Sequence, residues 1–232
     1  MTALTATESI NRFKVLTTSK SASDTSGEGA GIPAGENFRS QDLLYPLLLT
    51  SSNDVAELYQ EQVWHFVSVM NQKAEAIGLA HTIFTDASGR DSGNTSTAED
   101  IFRLLSYIAT HKKPIFDILG EREHQLNSAD GKLFSWENLN WPEDRQFVAG
   151  KAGKTTSAKE TMAGLYKVRL AEDVERPVAI IVLGADNRVT DIRAIIQYLE
   201  NNFVYGNVLV QDHGPVTPVV REGASIYQAL EP

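Results

Sequence analysis

Two short stretches of this sequence carry residue types at spacings that can do chemistry: Ser51-Ser52-Asn53-Asp54 and Gly150-Lys151-Ala152-Gly153-Lys154-Thr155. In the first, the Ser51 hydroxyl suits a proton relay, and the Asn53 carboxamide suits the orientation of a peptide carbonyl. In the second, a lysine follows a predicted strand. A strand edge offers backbone N–H and C=O groups to an extended peptide, a cationic side chain there can hold a carboxylate, and Gly153 lets another backbone come close. Each stretch also has a plainer reading. Ser and Asn are good helix-capping residues, and a lysine on a hairpin strand can simply be solvated. A phosphate-binding loop is excluded, because that motif needs glycine five positions before Gly153, where the sequence has Val148.

These residues must be positioned by the elements around them. Met1 to about Asn11 reads as a helix and Phe13–Thr18 as a short strand, followed by a Ser/Gly/Asp-rich loop to Gly35. Ser40 or Asp42 can cap a helix through Leu43, Leu44, Leu47 and Leu48. Val55, Leu58, Val63, Phe66, Met70, Ala74 and Ile77 fit one face of a long helix that Gly78 ends. Trp64, Tyr59 and Phe66 are expected in the core or lining a groove. Thr95 to Asp100 is a helix start, a hydroxyl cap followed by acids near the positive end of the dipole, and that helix runs to about His111. Stretches 147–151, 162–168 and 178–183 read as strands with short connections, hence antiparallel. Residues 191–203 form an amphipathic helix. The fold class is therefore α/β (α+β): an antiparallel sheet flanked by helices, beside a helical subregion.

Composition narrows the function. The 232 residues carry a net charge of -9, which argues against a nucleic-acid partner. There is no cysteine, so disulfides and thiolate metal sites are excluded. The five histidines are scattered without a His-x-x-x-His pair, so neither metal nor cofactor is expected. No stretch approaches the roughly 18 apolar residues of a membrane span.

Taken together, the motifs are far more specific. Leu43-Leu44-Tyr45-Pro46-Leu47-Leu48-Leu49 leads into Ser51-x-Asn53-Asp54. There follow Phe66 to Ala74, Ile77-Gly78-Leu79, Thr82-Ile83-Phe84, Ser96 to Asp100, and finally Gly150-Lys151-Ala152-Gly153-Lys154-Thr155. This order resembles the serine-type D-alanyl-D-alanine carboxypeptidases, the low-molecular-mass penicillin-binding proteins, over about Met1 to Phe203. The resemblance implies a β-lactamase/DD-peptidase-like domain over 1–203, with 204–232 a tail of unassigned role. It implies action on peptidoglycan stem peptides ending in D-Ala-D-Ala through a serine acyl-enzyme, with β-lactams as ligands of the full-length form. Ser51 matches the relay hydroxyl, Asn53 the substrate-orienting amide and Lys151 the cation facing the substrate carboxylate. Ala152, Gly153, Lys154 and Thr155 match the substrate-binding strand, with the Lys154 N–H in the oxyanion hole.

Two departures stand out. Ala152 replaces the family's usual threonine, whose hydroxyl would bond the substrate carboxylate. A charge-assisted hydrogen bond of that kind is worth about 1.5–3 kcal/mol. The nucleophilic Ser-x-x-Lys motif occurs nowhere in the sequence. In the family, that serine opens a helix whose continuation reads like Met1-Thr2-Ala3-Leu4. The resemblance thus leads to the expectation of an upstream segment with the nucleophile, the first strands and a signal peptide, and of an extracytoplasmic protein of the periplasm or cell envelope. With Met1 as the true start, the expectation is instead a cytoplasmic, non-catalytic relative that binds peptidoglycan peptides or a protein partner. A hydrolase with a different nucleophile is the third option. As it stands, the chain is expected to be inactive alone.

Overall fold

The structure, a computed structural model, describes residues 1–142, 145–171 and 174–204. The first part of the chain is largely helical: α1 (Thr2–Ser9), α2 (Lys20–Ser23), α3 (Leu44–Leu49), α4 (Asn53–Gln62), α5 (Phe66–Ala76), α6 (Ala98–His111) and α7 (Lys113–Leu119). Two short strands, β1 (Val15–Thr17) and β2 (Asn37–Arg39), pair within it. A hairpin of β3 (Glu123–Asn127) and β4 (Leu133–Glu137) precedes the main antiparallel sheet. That sheet has the order β5 (Phe147–Thr155), β6 (Lys159–Ala171), β7 (Val174–Ala185), and α8 (Arg188–Asn202) closes it. Residues 205–232, nearly all of the expected tail, lie outside the described residues.

Two apolar clusters organise these elements. The larger gathers Leu4, Phe38, Leu43, Leu49, Leu58, Tyr59, Phe66 and Met70 in the helical body and reaches Ala149 of the sheet. The smaller places Ile192 and Ile196 of α8 against Phe147, Met162, Tyr166, Ile180 and Val182. A β-bulge between Phe147 and Ala149 breaks the register of β5 on β6. An extra residue in one strand reverses which face the following side chains take. Phe147 accordingly packs in the sheet–α8 cluster and Ala149 in the helical one. Lys151, two residues further on, shares the Ala149 side and is aimed at the helical body.

Three expectations needed correction. The helix through 55–77 is two helices, broken where Val63 is extended and His65 sits at φ 57. The periodicity concealed the break because Val63 and Phe66, three residues apart, both pack on the same core. Trp64, at the break, is 85% exposed rather than buried. The β3–β4 hairpin and α7 were not anticipated. The strands carry polar residues on their outer face, and only Phe134 and Trp136 of β4 are buried against Phe38. α3 starts at Leu43 with no side-chain cap, so neither Ser40 nor Asp42 plays that part.

Other expectations hold. Thr97 caps α6 by accepting from the Asp100 N–H. Gly78 ends α5 at φ +77, donating to Glu75 O at 3.0 Å while Leu79 N donates to Ala74 O at 2.9 Å. This is the paired-bond termination that a left-handed glycine permits. A Cβ at Gly78 would meet nothing closer than Arg103 Nη1 at 3.6 Å, so the cost of adding one lies in the backbone angle. Gly78→Ala should therefore lower stability by about 1 kcal/mol and Tm by about 2–4 °C, as read by thermal denaturation.

Candidate active site

The turn between α3 and α4 is built to hold its polar residues in place. Thr50 closes α3, its hydroxyl donating to Pro46 O at 2.8 Å. Ser51 follows at φ 57, left-handed backbone that a non-glycine residue seldom takes. Ser52 caps α4 by accepting from the Val55 N–H. The Asp54 carboxylate accepts from the Ser52 hydroxyl, from Val55 N at 2.8 Å and from Ala30 N at 3.0 Å. Asn53 N donates to Glu28 O at 2.8 Å. The Ser26–Gly31 loop is thus pinned onto the start of α4. Gly27 has to be glycine there: at φ +96, a Cβ on it would fall 2.6 Å from Asn53 Nδ2.

Opposite this turn lies Lys151 on the edge strand β5. Its ammonium donates to the Ser51 hydroxyl, to Asn140 Oδ1 at 2.8 Å and to Ala152 O at 2.7 Å. The structure therefore joins the Ser51 and Lys151 motifs, which lie 100 positions apart. Asn140 was not anticipated as part of the site. Its Oδ1 accepts from both Lys151 Nζ and Ala152 N, and its Nδ2 donates to Leu48 O, Leu49 O and Asn138 Oδ1. Asn138 in turn donates to Glu121 O at 2.7 Å. The one sequence signal was a pair of asparagines, Asn138 and Asn140, between two tryptophans, Trp136 and Trp141. Both are buried, and their amides are satisfied by backbone groups, by each other and by Lys151.

The other expected residues fall as follows. Asn53 is buried, and its Nδ2 donates to Ser26 O at 3.2 Å rather than touching Lys151. Ala152 and Gly153 line the same cavity as Lys151, a space of about 320 Å³ with otherwise largely apolar walls that include Leu48, Leu105 and Met162. Gly153 also has an internal reason to be glycine, since a Cβ would sit 2.8 Å from Thr161 Oγ1. The Lys154 side chain turns to the surface and pairs with Glu160 at 2.9 Å. Because Ala152 N points away from β6 to Asn140, alternation directs the Lys154 N–H to the same free edge. The Thr155 hydroxyl accepts from Ala158 N at 3.0 Å and so stabilises the β5–β6 turn.

Electrostatics single out Lys151. Burial first, and then the charge of Arg188, push its pKa down from the ordinary 10.5 to about 8, against the opposing pull of Glu28. A lysine this depressed can exchange a proton with a neighbouring hydroxyl near neutral pH. Among the described residues, no group of three or more His, Cys, Asp or Glu side chains is placed to hold a metal ion. Among the same residues, no helix is long and apolar enough to cross a membrane.

The architecture is that of the DD-peptidases. The structure superposes on the D-alanyl-D-alanine carboxypeptidase of Mycobacterium tuberculosis with a TM-score of 0.69 at 23% identity, covering 85% of this chain and 77% of that one. The family model for D-alanyl-D-alanine carboxypeptidases matches residues 1–187. The chain belongs to the D-alanyl-D-alanine carboxypeptidase family. Similar sequences include D-alanyl-D-alanine carboxypeptidase DacD of Escherichia coli, 26% identical over 184 residues (75% of this chain, 45% of the relative). A D-alanyl-D-alanine endopeptidase of the same organism is 24% identical over 159 residues (65% and 49%). The chain spans about half the length of these curated relatives.

Two outcomes follow. Asn140→Ala should lower unfolding free energy by about 2–3 kcal/mol in a denaturant titration, because several buried partners lose their bonds at once. For Lys151, the folded state binds fewer protons than the unfolded state between about pH 8 and 10.5, so stability rises with pH across that window. Lys151→Met should abolish this contribution to the rise, as read from denaturation midpoints against pH.

Proposed function

We propose that this chain provides the substrate-holding part of a serine acyl-transfer site acting on peptidoglycan stem peptides that end in D-Ala-D-Ala. The observation that carries this reading is the direct contact of the Lys151 ammonium with the Ser51 hydroxyl at the free edge of β5. In this reading, the peptide lies along that edge as an added strand. Its terminal carboxylate is drawn to Lys151, and its scissile carbonyl points toward the Lys154 N–H. Asn53 orients the preceding peptide unit. A substrate carboxylate beside Lys151 restores the cation that burial disfavours. The Ser51 hydroxyl, in hydrogen-bond contact with Lys151, passes a proton to the departing D-Ala amine.

The nucleophilic step in this reaction class belongs to a Ser-x-x-Lys pair, which the 232 residues do not contain. The chain's own contribution is therefore binding, orientation and proton relay. β-Lactams, whose carboxylate and strained amide mimic the peptide terminus, are ligands of the form that carries the nucleophile. Peptidoglycan substrates place the working protein in the cell envelope.

The test is a calorimetric titration with diacetyl-L-lysyl-D-alanyl-D-alanine. The peptide should bind, and Lys151→Ala should weaken it at least tenfold through loss of a charge-assisted contact. Ala152→Thr should tighten it about tenfold by restoring a hydroxyl at the carboxylate. Absence of binding, or binding indifferent to Lys151, would refute the reading.

A further inference from the structure

Asn53 donates from Nδ2 to Ser26 O, so this carbonyl bears on which way the Asn53 amide faces. The two ends of a carboxamide are alike in shape and differ in what they bond: the NH2 donates and the carbonyl accepts. An acceptor held beside Nδ2 therefore selects one orientation of the amide. The bond is long, at 3.2 Å, and Ser26 lies in a loop outside any helix or strand. The orientation of Asn53 thus depends on what else holds Ser26.

Arg90, 64 positions away, holds it. Its Nη1 donates to the same Ser26 O at 2.6 Å, and its Nη2 donates to Ser26 Oγ at 3.0 Å. A carbonyl oxygen has two lone pairs, one for each donor, and the charged donor makes the shorter bond. The rigid guanidinium fork grips both oxygens of one residue, which the point charge of a lysine does not. Arg90 is placed in turn by its own loop. The Asp86 carboxylate accepts from Gly89 N at 3.0 Å, from Arg90 N at 3.3 Å and from the Ser88 hydroxyl. Burial works against charge on Asp86, but these bonds and one from Asn94 outweigh it and keep its pKa below the usual value. Thr2 Oγ1 donates to Ala87 O at 2.6 Å, which ties the same loop to α1. The loop therefore runs from the wall of the apolar cavity, which Thr2 and Ala87 line, to the residue that orients Asn53.

We infer that Arg90 is a positioning residue for peptide binding: by fixing the Ser26 carbonyl, it holds the Asn53 amide in the orientation that meets the peptide. Arg90 acts through Asn53 and does not touch the peptide itself. The inference rests on the function proposed above, which gives Asn53 its contact with the peptide unit.

The experiment is a double-mutant cycle read by calorimetric titration with diacetyl-L-lysyl-D-alanyl-D-alanine, on the unaltered chain, Arg90→Met, Asn53→Ala and the double variant. Arg90→Met should weaken binding about fivefold, the net worth of one hydrogen bond. In the Asn53→Ala background the same change should have no further effect, because the group it positions is gone. A general loss of structure does not give that pattern, since it weakens binding in both backgrounds. Arg90→Lys keeps the charge without the fork and should recover only part of the loss; it also carries the cycle if Arg90→Met fails to fold. Unchanged affinity in Arg90→Met overturns the inference and leaves the proposed function standing. A loss of the same size in the Asn53→Ala background overturns the action through Asn53. If the unaltered chain does not bind the peptide, the proposed function falls and the inference falls with it.

Discussion

A partly buried lysine ammonium needs acceptors around it, and in this chain those acceptors come from otherwise separate parts of the fold. The Ser51 hydroxyl, the Asn140 carbonyl and the backbone of Ala152 converge on Lys151. The turn after α3, the segment after β4 and the edge strand β5 are thereby fixed relative to one another. The β5 bulge aims Lys151 into the helical body, and the Asn138–Asn140 segment draws the end of α3 toward the strand. Removing one acceptor leaves several buried groups without partners at once, which is why the arrangement behaves as a unit.

The other constraint is the packing of a glycine-rich loop onto the start of α4. Gly27 comes so near Asn53 that a side chain there would crowd it, and Asp54 ties the Ala30 amide to the helix N-terminus. Asn53 is held there by the bond from its Nδ2 to Ser26 O.

The two motifs were legible because their chemistry is local: a hydroxyl and an amide two residues apart, and a lysine between glycines at a strand end. Their order along the chain also carried the family resemblance, which the family match over residues 1–187 supports. The α6 cap and the three main strands were legible for similar reasons, since caps and β-rich runs act within a few residues. Asn140 was not, because its partners Leu48, Leu49, Lys151 and Ala152 are distant or chemically silent in sequence. The α4–α5 break escaped notice because two helices that share a core preserve one periodicity. The second role of Gly153, making room for Thr161 Oγ1, depends on a cross-strand register that no local pattern contains.

The most direct test is a crystal structure of the chain with diacetyl-L-lysyl-D-alanyl-D-alanine bound. The peptide should lie antiparallel along the free edge of β5, with its carboxylate at Lys151 and its penultimate carbonyl within hydrogen-bond reach of the Lys154 N–H. A peptide seated away from that edge, or a Lys151 that keeps its contacts with Ser51 and Asn140 and ignores the carboxylate, would contradict the central claim.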